Sequence, residues 1–282
     1  MKRNKLLALI LSAVLMALPF AGCGKKNEGN RIDQIKERGY LTVATEPYFA
    51  PYEFIDSSKE GDEKYVGADI ELAKYIADQL GVDLKIVPLE FSGVLSSVAE
   101  GKYDLALSCL AYTPARAAAF DFTDYYYNSG DSKGYSILVR EEDYNKYNSF
   151  DDFDGKKVVC QAGSLQEAYA NEQMDPDSFK EFIKVSSTTD GYLMVSEGKA
   201  DACVCSVDNA ELYIAANPGL ITLADKMLFE VDPEYVGVRG GIAKGNEEFL
   251  EFVNQCIAQV KEDGSMAKWV EEYTEYASNL GL

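Results

Sequence analysis

From Leu41 onward, short apolar runs alternate with stretches whose apolar residues recur every three or four positions, the pattern of an α/β protein. Leu41-Thr42-Val43-Ala44-Thr45 reads as a strand stopped by Glu46-Pro47. Gly67-Ala68-Asp69 opens an amphipathic helix with Ile70, Ala73, Ile76, Ala77 and Leu80 at helical spacing, and Gly81 ends it. Val82 to Val87 is the next strand. A short helix with Leu95, Val98 and Ala99 then stops at Gly101, and the apolar run Leu105, Ala106, Leu107, Cys109, Leu110 predicts a strand buried on both faces. A β-α-β-α-β order implies a mainly parallel sheet with right-handed crossovers.

Asp124 to Gly134 interrupts this pattern with turn-forming residues, and Tyr135 to Val139 is a new strand, which predicts a crossing into a second domain. There Lys157 to Gln161 is a strand, and Ser164 with Glu167 has the spacing of a capping box at a helix start. The segment VAEGKYDLALS (Val98 to Ser108) is echoed by VSEGKADACVC (Val195 to Cys205), so one supersecondary unit is used twice. Ser206 to Glu211 carries a second capping-box pattern before a helix to about Ala216, which Asn217-Pro218-Gly219 ends. A long amphipathic helix, Glu247 to Lys261, presents Phe249, Phe252, Val253, Cys256, Ile257 and Val260, and a last helix holds Ala267, Trp269 and Val270. The expected fold is α/β with two lobes, 37–130 with 234–282 and 131–233, each a mainly parallel sheet flanked by helices. Crossings near Asn128 to Lys133 and Val231 to Tyr235 would form a hinge.

At 282 residues, 47% hydrophobic and 26% charged, the chain is long enough for two cored domains. Its start differs from the rest: Lys2, Arg3 and Lys5 precede an apolar run from Leu6 to Phe20 and then Ala21-Gly22-Cys23. That is an export signal over 1–22, too short in its apolar part to span stably, with Cys23 in the lipobox position where a bacterial lipoprotein is cleaved and lipidated. Residues 23–36 are expected to be a polar tether. The formal charge of −20 becomes −23 without the three signal cations, which argues against nucleic acid as a partner. There is no histidine, no CxxC pair and no metal-ligand spacing, so neither metal nor cofactor is expected. Cys109, Cys160, Cys203, Cys205 and Cys256 all fall in apolar patterns and read as buried thiols.

The candidate chemistry lies where the strand ending near Leu110 meets the next helix. Thr113 is placed as an N-cap and Pro114 as the first helical residue, with Arg116 just inside, so a guanidinium stands beside unpaired amides, an arrangement suited to a carboxylate or phosphate. The Gly163-Ser164 corner is a second candidate anion site. The loop after Glu46 is crowded with Tyr48, Phe49, Tyr52 and Phe54, which either line a pocket mouth or pin the loop.

TEPYFAPYEF (Thr45 to Phe54), GADIELAKYIA (Gly67 to Ala77), GKYDLALSCLAYTPAR (Gly101 to Arg116), FDFTDYYY, GSLQE (Gly163 to Glu167), EGKADA and GIAKGNEEFLEFVNQCIAQVKEDG together resemble one family over nearly all of the chain after Arg31. It is that of the lipid-anchored solute-binding proteins, family 3, which serve bacterial ABC importers of polar amino acids. The resemblance implies two lobes closing on a ligand, no catalysis, an ABC permease as partner, a lipid anchor as the sole membrane contact, and a monomer. It places Arg116 on the ligand's α-carboxylate, with backbone amides of Ala111, Ser164 and Leu165, and the Cys109 carbonyl toward the α-amino group. Glu46, Phe49 and Phe91 would meet the side chain, and an acid framed by two aromatics suits arginine or lysine, with a neutral polar amino acid or cystine next. Two positions depart from the family pattern: Ala111 replaces a usual hydroxyl, and Ser206 replaces the usual ammonium-binding Asp. Asp208 stands two residues on, either as the replacement carboxylate or only as a helix cap. Besides delivery to a permease, a ligand sensor and a cyclohexadienyl-dehydratase-like enzyme are compatible with such a scaffold, although no nucleophile is paired with a base in any motif.

Overall fold

The computed structural model describes residues 30–128, 130, 132–224 and 226–282. The predicted signal (1–22), the lipidation site Cys23 and tether residues 24–29 lie outside the described residues. The remaining tether assignment is corrected, because Arg31–Arg38 is a helix (α1). The Asn30 side chain accepts from the Asp33 amide, Gly39 closes the helix, and Ile35 is fully buried in the first core. One buried apolar residue in eight leaves no periodicity to read in the sequence.

After α1 come β1 (Tyr40–Thr45), the small hairpin β2 (Phe54–Ile55) and β3 (Tyr65–Val66), α2 (Ala68–Leu80), β4 (Asp83–Pro88), α3 (Phe91–Ala99), β5 (Leu105–Ala111), α4 (Pro114–Ala119) and β6 (Asp121–Tyr127). The chain then crosses to β7 (Tyr135–Arg140), β8 (Lys157–Gln161), α5 (Leu165–Gln173), β9 (Glu181–Val185), α6 (Thr188–Ser196), β10 (Ala202–Ser206), α7 (Val207–Ala216) and β11 (Ile221–Leu223). It returns through β12 (Val238–Ile242), α8 (Glu247–Glu262) and α9 (Ser265–Leu280).

Two five-stranded sheets result, ordered β4-β1-β5-β12-β6 and β11-β7-β10-β8-β9. In the first, β1 runs parallel to β4 and β5, as the crossovers require, and β12 pairs antiparallel with β5 and β6. In the second, β8 is parallel to β9 and β10, and β7 is antiparallel to β10 and β11. Each sheet carries its own apolar core, so the molecule has two lobes joined by 128–134 and 224–237. The segment from Asp124, expected to break the pattern, continues β6 through Tyr127 with Tyr126 buried and Asp124 and Tyr125 exposed. Both exposed residues lie within the strand, on opposite faces of it.

The repeated motif has a physical role in both lobes. Asp104 precedes β5, and its Oδ2 accepts the Thr42 amide of the neighbouring strand β1 at 2.8 Å, while Arg31 and Arg38 pair with the same carboxylate. Asp201 precedes β10 and accepts the Lys157 amide of β8 at 2.9 Å, with Arg140 alongside. In each case the carboxylate registers two parallel strands at their entry.

The two differ in burial, the Asp104 carboxylate being fully enclosed and that of Asp201 about a third exposed. Asp104→Ala is therefore expected to cost about 3 kcal/mol, the scale of a broken buried ion pair, and Asp201→Ala about 1 kcal/mol or less. Equal losses in urea unfolding would contradict this account.

Candidate functional site

A cavity of ≈ 740 Å³ lies between the lobes. Glu46, Phe49, Phe91, Cys109 and Ala111 line it from the first lobe. Ser164, Leu165, Ser206 and Asp208 line it from the second. The floor is the end of β5, where the ladder with β12 slips: Leu110 faces Arg239, yet Ala106 faces Gly241. Cys109 sits in this bulge with φ 46°, a left-handed conformation that a non-glycine residue adopts only when its surroundings hold it there. The restraint is Asp69, whose Oδ2 accepts the Cys109 amide at 2.9 Å and the Tyr126 hydroxyl at 2.7 Å.

Asp69 reaches the bulge because α2 begins directly under the aromatic loop. Pro51 and Tyr52 carbonyls accept the Ala68 and Asp69 amides at 3.1 and 2.9 Å, giving partners to the first amides of the helix. A Cβ on Gly67 would stand 2.1 Å from the Tyr52 oxygen, so only glycine permits this approach. The loop aromatics divide between the two roles open to them. Phe49 lines the cavity and stacks on Tyr52 with ring centroids 6.4 Å apart. Phe54 is buried against Tyr273 and Tyr276 of α9 and is a pin.

Arg116 stands at the edge of the cavity, beside its lining residues Ala111 and Phe91. Its guanidinium lies at the seam between the lobes, donating to the Ala111 carbonyl at 2.8 Å and to the Gly163 carbonyl of the opposite lobe at 2.9 Å, 5.4 Å from the centroid of the Phe91 ring. Among the described residues it forms no ion pair, and burial lowers its pKa to about 10. The Gly163-Ser164 corner is less open to an anion than its sequence implied. The Glu167 carboxylate already accepts the Gly163 amide at 2.7 Å, and Ser164 Oγ accepts the Glu167 amide at 3.2 Å.

Asp208 does not cap a helix. Helix α7 starts at Val207 with Ser206 in the cap position, so the predicted capping pair with Glu211 is not formed and the segment is helical rather than extended. The exposed Asp208 carboxylate accepts from Ser132 Oγ at 3.0 Å, in the first crossing, and Glu211 pairs with Lys133. The five cysteines of the described residues are free thiols.

Three buried carboxyls, Glu46 and Glu53 in the cavity wall and Asp69 behind it, were missed as a group. Ser108 Oγ accepts the Glu46 amide and donates to Glu53 Oε1, each at 3.0 Å, and the charge of Asp69 bears on Glu53. Burial pushes Glu46 up to about 8 and Asp69 up to about 6, and drives Glu53 well above the usual carboxyl range. The signal for Asp69 was present, because it falls one turn before Ala73 and two before Ile76 on the apolar face of α2. From the second lobe, Gln161 reaches Glu46, and Asn209 Nδ2 donates to the Ala50 carbonyl at 3.0 Å, its own Oδ1 held by the Tyr192 hydroxyl.

The model of the bacterial extracellular solute-binding proteins, family 3, matches residues 41–276. The arginine-binding extracellular protein of Bacillus subtilis is 27% identical over 263 residues, covering 92% of this chain and 94% of that protein. The L-cystine-binding protein of Escherichia coli is 26% identical over 268 residues, covering 93% and 94%. A substrate-binding protein of an amino acid ABC transporter from Streptococcus pneumoniae, solved bound to L-arginine, superposes with a TM-score of 0.76 at 32% identity, covering 87% of this chain and 98% of that one.

Because the chain has no histidine, no side chain of ordinary pKa titrates between pH 5 and 8. Glu46 and Glu53 keep protons in the folded state that the unfolded chain has released above about pH 4.5, and Asp69 keeps its own only to about pH 6, so stability is greatest below about pH 4.5 and is lost as pH rises toward 8. The melting temperature of the free protein should fall from pH 5 to pH 8, and less steeply in Glu46→Gln. A flat profile in the parent protein would remove these carboxyls from the buried, proton-holding state.

Proposed function

The chain belongs to the bacterial extracellular solute-binding proteins of family 3, a family of binding proteins rather than enzymes, and on that premise we propose that it captures a cationic amino acid, arginine foremost, between its lobes and delivers it to an ABC permease. The observation that carries this reading is Glu46, a buried carboxyl in the wall of a cavity also lined by Phe49 and Phe91, which among the described residues forms no ion pair with a cation of the protein's own. An acid between aromatic surfaces favours a guanidinium or ammonium group. The likeness to arginine-binding proteins from two organisms supports the same choice.

The α-carboxylate is assigned to Arg116. A desolvated guanidinium that has two carbonyls but no carboxylate is short of one anion, and a ligand entering the seam supplies it. The α-ammonium is assigned to the bulged backbone at Cys109, with Ser206 and Asp208 completing the acceptors; the Asp208 charge is near enough to Cys109 to raise its thiol further. A ligand held by both lobes stabilises their closed arrangement over any open one. Outside the described residues, Cys23 is assigned as the lipidated residue that keeps the protein at the membrane.

In a thermal-shift screen of the amino acids, arginine at 100 times its dissociation constant should add about 2.7 kcal/mol of stability. A screen in which only acidic or aliphatic amino acids raise the melting temperature would defeat the cationic reading. Arg116→Ala should weaken arginine by about 3 to 5 kcal/mol in calorimetry, and affinity within threefold of the parent would remove Arg116 from the site. Cys23→Ala should release the protein from membranes into the medium, as followed by fractionation.

A further inference from the structure

The acids at the cavity wall differ in how many hydrogen-bond donors reach them, and that difference decides which carries charge. Asp69 Oδ2 accepts from both the Cys109 amide and the Tyr126 hydroxyl, so Asp69 is the carboxylate of the group. Glu53 is fully buried, accepts only from Ser108 Oγ among the described residues and has the charge of Asp69 beside it, so it is the neutral partner. Glu46 Oε1, Glu53 Oε2 and Asp69 Oδ1 are each buried with no hydrogen-bond partner, but among the described residues no backbone amide or hydroxyl donates to the Glu46 carboxyl, and no lysine or arginine forms an ion pair with any of the three.

Gln161 approaches Glu46 from β8 and is uncharged; Asp190, at the start of α6, adds a negative field. Phe91 lines the same cavity from α3, and the Cys109 thiol of β5 is held neutral by burial. Two cations stand elsewhere at the cavity, Lys133 paired with Glu211 and Arg116 over the Phe91 ring and bonded to carbonyls, and neither forms an ion pair with Glu46. A second carboxylate in such a place is opposed by desolvation and by the negative charges around it.

We propose that the cavity takes the cationic end of its ligand in exchange for a proton held on Glu46, and that this exchange makes its preference for a cation over a neutral isostere rise with pH. The inference rests on the cationic-ligand reading and deepens it. As the ammonium or guanidinium enters, it supplies the positive charge that the protein lacks there; the Glu46 proton passes to solvent and the net charge of the cavity is unchanged. A neutral ligand brings no such compensation and leaves the proton in place. Because linkage is reciprocal, proton release on binding requires affinity to depend on pH by the same amount.

Arginine and citrulline differ in this charge at nearly equal shape, which makes them the probes. Calorimetric titrations from pH 5 to 9, each in phosphate and in Tris to count protons, should show about one proton released per arginine at pH 7. Arginine affinity should fall roughly tenfold per pH unit from pH 7 to pH 5, while citrulline stays within threefold across the range. Glu46→Gln should abolish both the proton release and the pH dependence. Asp190→Asn, which removes one of the negative charges facing Glu46, should move the arginine profile to lower pH, a shift that a purely structural role for Asp190 would not produce. Arginine binding with no proton release and a flat profile would overturn the exchange and leave the cationic reading standing. No arginine binding at any pH would end that reading and this inference with it.

Discussion

The carboxylate of Asp69 is inside the first lobe, and the shape of the ligand cavity depends on what it holds. It fixes the Cys109 amide, and so stabilises the bulge that turns the end of β5 into the cavity floor. It can stand there only because α2 starts beneath the Pro51 and Tyr52 carbonyls, at a distance that only Gly67 allows. The same contact fixes the loop that carries Glu46 and Phe49. One buried charge thus ties a helix start, a strand end and a binding loop into a single unit. Such a network is rigid when its partners are satisfied and costly when they are not, which is why an acid one step further out, Glu46, is left protonated.

The lobes are joined by more than their two connections. Arg116 and Asn209 each donate across the gap to a backbone carbonyl, Gly163 lies against Ser92 and Leu95, and Leu212 packs on the cluster around Ala50 and Phe54. These contacts flank the cavity, so the space between them is shaped by both lobes at once. Their donors meet carbonyls rather than carboxylates. The lobes are thereby aligned without neutralising Arg116, whose charge stays available to an anion.

The duplicated Glu-Gly-Lys segment shows how sequence similarity within one chain becomes shared physics. Asp104 and Asp201 perform the same act of strand registration, yet Asp104 is enclosed by α1 and its two arginines while Asp201 is partly open. Helix α1, unreadable from its polar sequence, is what makes the difference.

Periodicity, glycine stops and the Thr113-Pro114 cap are local properties, and they marked most of the helices and the central strands of both lobes and nine of the cavity-lining residues before any contact was known, but not α1, the β2–β3 hairpin, β9, β11 or β12. The Asp208 cap was misjudged because a capping pattern at 208–211 and a helix start at Val207 differ by one or two residues, within the range that local sequence leaves undecided. Asp69 and Glu53 could not be grouped at all. They lie far from Ser108 and Cys109 in the chain, and their burial, their mutual repulsion and their lack of a countercharge arise only when α2, β5 and the aromatic loop close around one point. Local sequence fixes which residues are acidic, whereas the field at each acid is a sum over neighbours that only the tertiary structure brings together.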